Sequence, residues 1–224
     1  MTADRPQNTN LSGAGNRWHE LTTMPYLLLI VVCCLANVLP AQTTADEFTL
    51  ESEEDGIQVW VREETGGDMS VRVSTSARVS VAEVQVVLDD AEAYPEWVHR
   101  CSDARRLPGG SDDNYVYFSS IDLPFPFRDK EVVARIRQWI DTSGTLHRTI
   151  TAEPDALPAN DGRERMTVYS GEWLVRPADG SVTLQCTVRT DAGSGLPGWL
   201  RREILTGGPA RTMDNLRQRL EAAR

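Results

Sequence analysis

The chain has 224 residues, 40% of them hydrophobic and 25% charged, the make-up of a globular protein long enough for one sizeable domain. A formal net charge of −10 argues against a nucleic-acid surface, because no basic patch offsets it. It argues equally against attachment to anionic lipid by charge alone.

Met1 to Thr23 is polar and without periodicity, and Met24 to Pro40 then carries the apolar run Tyr26 to Ala36. That run is shorter than the roughly 20 residues of a membrane-spanning helix. It reads as the core of a signal peptide, with Ala41 as the small residue before a cut ahead of Gln42. The expectation is an N-terminal extension and signal peptide over 1–41, export, and a folded domain over 45–224. The segment ahead of the run is long and weakly basic (Arg5, Arg17), so an uncleaved membrane anchor is the alternative.

Ala45 to Glu54 reads as an acidic lead-in. Gly56 to Arg62 and Ser70 to Ser80 alternate as strands, and Gly66-Gly67-Asp68 between them predicts a hairpin. The period then becomes helical: Val81, Val84, Val87 and Leu88 share a face, with Ser80 as N-cap and Glu83 at the capping-box position. Tyr94-Pro95-Glu96-Trp97-Val98 predicts a second short helix, since proline suits a first helical turn. Strands follow over 104–107, 114–122, 131–140, 145–152, 166–176 and 182–190, separated by Gly, Pro and Asn-Asp turn signals.

The strand faces predict a sheet that is dry on one side and wet on the other. Val132, Ala134, Ile136 and Ile140 form the inward face of one strand, with Glu131, Arg135 and Arg137 outward. Val182, Leu184, Cys186 and Val188 form the inward face of the last. Ser119, Ala134 and Cys186 are small, which leaves room for a cavity under whatever covers them.

The cover is the C-terminal segment. Leu196, Trp199, Leu200 and Ile204 recur at helical spacing, and Met213, Leu216 and Leu220 follow beyond Gly207-Gly208-Pro209. On one ideal helix, at about 100° per residue, the two sets point to nearly opposite sides. A break or kink at Gly207–Pro209 is therefore expected, with Pro209 in the first turn of the second piece and the break acting as a lid hinge.

Catalytic signatures are absent: there is no phosphate loop, no HExxH and no paired-carboxylate pattern. His99 and His147 read as structural, and Arg128-Asp129 as a salt bridge or turn-fixing pair. Cys33 and Cys34 lie in the N-terminal run, and Cys101 and Cys186 are expected to stay unbridged. Neither a cofactor nor a metal is expected.

Ordered marks along 48–220 carry a family resemblance. They are Asp55-Gly56-Ile57-x-Val59-Trp60, Tyr94-Pro95-x-Trp97, and Pro124-Phe125-Pro126-Phe127-Arg128-Asp129. Then come Trp173-x-x-Arg176-Pro177 and Asp191-x-Gly193-x-x-Leu196-Pro197-x-Trp199-Leu200. Together they resemble the START (steroidogenic acute regulatory protein-related lipid transfer) domain. The resemblance implies an α+β helix-grip fold, START/Bet v 1-like, in which a curved antiparallel sheet wraps a C-terminal helix around a tunnel for one lipid.

The tunnel-lining residues it implies here are Trp97, Tyr117, Ser119, Ala134, Ile136, Trp173, Leu184, Cys186, Leu200, Ile204, Met213 and Leu216. Phe125 and Phe127 are added in a loop apt for touching a bilayer. Some sterol-binding members carry a buried acid and arginine at positions that fall here on Ser119 and Ala134, so that pair is missing. Tyr117 and Ser119 remain to hydrogen-bond a headgroup. The implied function is non-catalytic binding or transfer of a lipid by a monomer that touches membranes transiently. The alternative is a polyketide cyclase or aromatase-like enzyme on the same architecture.

Overall fold

In the computed structural model, which describes residues 47–191 and 196–222, the alternating segments pair into one ten-stranded sheet. The predicted signal segment lies outside the described residues. Strands β1 (Thr49–Glu54), β2 (Ile57–Glu63) and β3 (Met69–Ala77) precede helix α1 (Val81–Asp89), a 3-10 turn (Ala91–Ala93) and helix α2 (Tyr94–Trp97). Then come β4 (Cys101–Arg106), β5 (Asn114–Ile121), β6 (Lys130–Ile140), β7 (Leu146–Ala152), β8 (Glu164–Arg165), β9 (Tyr169–Ala178) and β10 (Ser181–Thr190). The sheet order is β1-β2-β3-β10-β9-β7-β6-β5-β4, antiparallel throughout, with the two-residue β8 added parallel to β6. Helix α3 (Gly198–Arg202), a π turn (Glu203–Gly207) and helix α4 (Gly208–Ala222) end the described chain.

Most elements form where the patterns placed them. The capping box closes as expected: Ser80 Oγ accepts from the Glu83 N–H at 3.3 Å, and Glu83 Oε2 accepts from the Ser80 N–H at 2.7 Å. It starts a helix that buries Val84 and Leu88. β1 is a strand that hydrophobic patterning missed, because all six of its residues are exposed. What makes it is the turn: Asp55 and Gly56 both hold positive φ, 50° and 74°, as a two-residue type I′ hairpin requires.

The sheet is not wet along the whole outer face. Glu131, expected outward in water, is 1% exposed, and Val133 is fully buried. The chain after β7 folds back over this end of β6. Arg165 anchors it, with Nη2 2.7 Å from Glu131 Oε1 and further bonds to the carbonyls of Leu157 and Pro158. At the far end of β6 the reverse holds, and Ile140, expected inward, is half exposed.

The terminal helix is continuous from Gly198 to Ala222, with no break in it. A π turn stands in place of the expected break. The Gly208 N–H bonds the Glu203 carbonyl, five residues back, so the turn contains one extra residue and rotates the helix beyond it. Leu200 and Leu205 are thereby buried at a spacing of five, in phase with Met213, Leu216 and Leu220. Ile204 is only half-buried and Trp199 is 61% exposed, so neither belongs to the buried stripe as the simple period suggested. Pro209 lies in the first turn of α4, as expected. Its ring, which would collide with the carbonyl four residues back in a tight α-turn, is accommodated by the wider one.

Two outcomes test these assignments. Glu131→Gln leaves the Arg165 guanidinium without its carboxylate, and urea melts are expected to show a loss of about 3 kcal/mol. Deleting Thr206 removes the extra residue of the π turn and brings Leu205 one position closer to Met213, but strands Pro209 inside an α-helix, at a cost of about 3 kcal/mol. Combining that deletion with Pro209→Ala is expected to recover most of the loss in the same measurement.

Candidate functional site

Between the sheet's concave face and the helices lies a cavity of about 250 Å³. It is near the lower end of the range for small-molecule sites, on the order of 300–1,000 Å³. Its walls follow the two-residue period of the strands. Val71 and Val73 come from β3, Tyr117, Ser119 and Ile121 from β5, Ile136 from β6, Arg148 and Ile150 from β7, Trp173 from β9, and Cys186 and Val188 from β10. Leu88 of α1 and Tyr94 and Trp97 of α2 close one side. Ile204, Leu205, Gly208, Pro209, Thr212 and Met213 close the other from the π turn and the start of α4.

Eight of the fourteen residues chosen from sequence line this space: Trp97, Tyr117, Ser119, Ile136, Trp173, Cys186, Ile204 and Met213. Ala134, Leu184, Leu200 and Leu216 are fully buried but sit in the packed interior away from it. Ala134 stands opposite Tyr117 in register, and its single methyl does not reach the open volume. Phe125 is 97% exposed and Phe127 half-buried in the β5–β6 loop, outside the cavity. Leu123 and Lys130, on either side of them, do line it. Asp129 fixes this loop, accepting from the Leu123 N–H at 2.9 Å, which is the turn-fixing role expected of it.

The cavity's polar end was not read from sequence. Arg148 is 1% exposed and lines the cavity. Its Nη1 donates to Asp89 Oδ1 at 2.6 Å and Gln138 Oε1 at 2.8 Å. Its Nη2 lies 2.7 Å from the Leu88 carbonyl, 3.2 Å from the Tyr94 hydroxyl and 2.5 Å from the Tyr115 hydroxyl. A charge pair is therefore present, on positions other than the Ser119 and Ala134 suggested by the resemblance. The signal was available: Leu146, Arg148 and Ile150 share one strand face, and an arginine between two core residues on a strand needs a buried partner.

The thiols and phenols around the cavity are held in their neutral forms. Burial pushes the Cys186 thiol and the Tyr169 hydroxyl up to about 12, and the Cys101 thiol up to about 11. Tyr94 and Tyr117 rise for the same first reason. Both cysteines are free thiols, as expected. Neither thiol is activated as a nucleophile needs. Among the described residues no group of His, Cys, Asp and Glu is placed to hold a metal.

At the rim, His99 Nε2 is 3.0 Å from Glu203 Oε1, and the His99 N–H donates to Thr212 Oγ1 at 3.1 Å. These bonds tie the end of α2 to the terminal helix. The two glycines make room for them. A Cβ on Gly207 would lie 2.7 Å from Glu203 Oε2, and one on Gly208 would lie 3.2 Å from the Glu203 carbonyl oxygen. Burial first, then Arg211 and Arg100, hold the His99 imidazole below its usual range. Its protonated form is thus disfavoured in the folded state. The contribution of neutral His99 is complete above the unfolded value near pH 6.5 and is lost as pH falls through the lower folded value. Thermal melts of wild type between pH 7 and 5 are expected to decline more steeply than those of His99→Gln. His147 sits far away on the outer face, bonded to Asp141 Oδ2 at 2.9 Å and stacked on Trp139, a structural role as read from sequence.

Comparison with known proteins agrees with this geometry. An uncharacterized protein of Pseudomonas aeruginosa is 28% identical over 197 residues, covering 87% of this chain and 97% of its own length. A StAR-related lipid transfer protein fragment from Xanthomonas axonopodis superposes with a TM-score of 0.71 at 23% identity, covering 79% of this chain and 99% of that one. Human StAR-related lipid transfer protein 5 superposes at 0.68 with 15% identity, covering 88% and 98%. The fold is the START helix grip, a curved antiparallel sheet closed by a C-terminal helix. Residues 78–217, more than half of the chain, match the polyketide cyclase/dehydrase and lipid transport family, and this protein is a member of that family.

Proposed function

We propose that the protein binds one lipid or similarly apolar molecule in the cavity and carries it between membranes without transforming it. The observation that carries this reading is a mainly apolar cavity between sheet and terminal helix, lined by valine, isoleucine, leucine and aromatic side chains. An alkyl chain gains roughly 0.8 kcal/mol per buried CH₂ in such a place and needs no specific chemistry to be held. The cyclase reading requires an acid, base or nucleophile poised near neutrality. Burial moves the cavity's thiols and phenols away from it, and the imidazole at the rim, His99, is bonded to Glu203 of the terminal helix. The family and fold relatives support the lipid reading in the same direction.

Loading requires the terminal helix to part from the rim, and the exposed aromatics beside the rim suit contact with a bilayer. Phe125 projects from the β5–β6 loop, and Trp199 from α3. The working form in this reading is an exported monomer whose mature chain starts near Gln42; N-terminal sequencing of native material that found residues before Met24 would count against export.

Native mass spectrometry of the purified protein is expected to show a co-purified lipid released on denaturation. Absence of any bound species, together with failure to take up lipid from vesicles, would overturn the reading. Phe125→Ala removes an anchor worth roughly 1.5–3 kcal/mol if buried in lipid. Vesicle-to-vesicle transfer by that variant is expected to slow about tenfold, with the melting temperature unchanged.

A further inference from the structure

Among the described residues three buried side-chain polar atoms have no hydrogen-bond partner: Arg72 Nε, Trp97 Nε1 and Thr190 Oγ1. Arg72 belongs to the opposite face of β3 from the cavity-lining Val71 and Val73. The other two belong to residues that line the cavity, Trp97 and Thr190, which are more than nine-tenths buried, at 4% and 7% exposed. A buried polar atom left unpaired costs about 1–3 kcal/mol, so two in one cavity require an explanation. Packing does not supply one. Trp97 is well held, edge-on to Tyr94 with centroids 5.2 Å apart and with its backbone carbonyl bonded by Asn215. Its indole N–H is nevertheless unused.

The charges of the site narrow what the two atoms await. Arg148, the buried cation, is already engaged by Asp89, Gln138, the Leu88 carbonyl and two tyrosine hydroxyls. Its charge is already balanced by Asp89, and both of its Nη nitrogens are engaged. The remaining charged lining residues, Arg100, Lys130, Asp191 and Glu203, are exposed or half-buried and mixed in sign. Lys130 is also occupied, its Nζ 2.5 Å from Glu164 Oε1. An indole N–H can only donate, so the group that meets it must be an acceptor, whereas a threonine hydroxyl can do either.

We propose that Trp97 Nε1 and Thr190 Oγ1 are the polar contacts of the ligand, and that the ligand is an uncharged lipid bearing acceptor oxygen, such as an ester, ketone or alcohol. This rests on the lipid-binding reading and goes beyond it by naming the recognising atoms and the ligand class. A carboxylate buried in the cavity would have to compete with Asp89 for Arg148, and a pure hydrocarbon would leave both polar atoms unpaired.

The test measures displacement of N-phenylnaphthylamine from the purified full chain by three probes matched in length: methyl laurate, tridecane and laurate at pH 7. Wild type is expected to bind methyl laurate tighter than either of the others. Trp97→Phe and Thr190→Val are each expected to lower the ratio of ester to hydrocarbon affinity by about five- to tenfold, the worth of one hydrogen bond. Taking the ratio removes any change in packing that the smaller phenyl ring causes. Thr190→Val is expected to melt at or above the wild-type temperature without ligand, because no bond is lost. An unchanged ratio in both variants would overturn the assignment, as would a lowered melting temperature for ligand-free Thr190→Val. Laurate binding as tightly as the ester would overturn the uncharged class. Failure of all three probes to displace the dye would instead overturn the lipid reading on which the proposal rests.

Discussion

The guanidinium of Arg148 is the interaction on which the rest of this structure turns. It is buried at one end of the cavity and reaches two carbonyl or carboxylate partners on α1, two tyrosine hydroxyls and the Gln138 side chain. A buried cation with any of these missing would be strongly unfavourable, since its desolvation is repaid only by a complete set of bonds. The set fixes α1 and α2 against β5, β6 and β7, and so determines where the cover of the sheet begins. It also balances the interior charge internally, beside thiols and phenols that burial keeps neutral.

The second constraint is geometric. A curved sheet with an apolar concave face needs a helix whose stripe stays aimed at it along its length. Pro209 does not fit inside an undisturbed α-helix, and the apolar residues on either side of it do not share one α-helical face. The π turn resolves both, adding one residue that brings Leu200 and Leu205 into line with Met213 and widening the backbone where the proline ring sits. Gly207 and Gly208 are explained by the same turn: a Cβ at either would crowd Glu203, whose side chain ties the helix to His99 at the rim. The segment that closes the cavity is thus also the part of the helix furthest from regular geometry.

These two constraints together leave a neutral, largely apolar space beside a rim of mixed charge and exposed aromatics. A concave, mostly apolar space with a few convergent polar groups is the general form of a small-molecule pocket. In the proposed reading the thiols and phenols, moved away from neutrality by burial, serve as walls of the cavity.

What the sequence by itself determined was local. Ser80 and Glu83 specify the start of α1, and alternation specifies β2, β3 and most of β5, β6, β7, β9 and β10. The order of the family marks implies the helix grip, and the small or aromatic inward residues imply much of the cavity's lining. These are legible because backbone propensity and a two- or 3.6-residue period are properties of neighbours in the chain. Only the tertiary structure decided the rest. Glu131 is buried because Arg165 arrives from 34 residues away, and β1 exists because a type I′ turn returns it to β2. Arg148 finds Asp89, 59 residues earlier, and the extra residue of the π turn is placed by the sheet it must cover. β1 is the local case, set by the adjacent Asp55 and Gly56 and invisible only to hydrophobic patterning. The physical reason is common to the other three: each joins groups whose separation in sequence leaves no periodic trace, and whose cost or gain exists only once water has been excluded from between them.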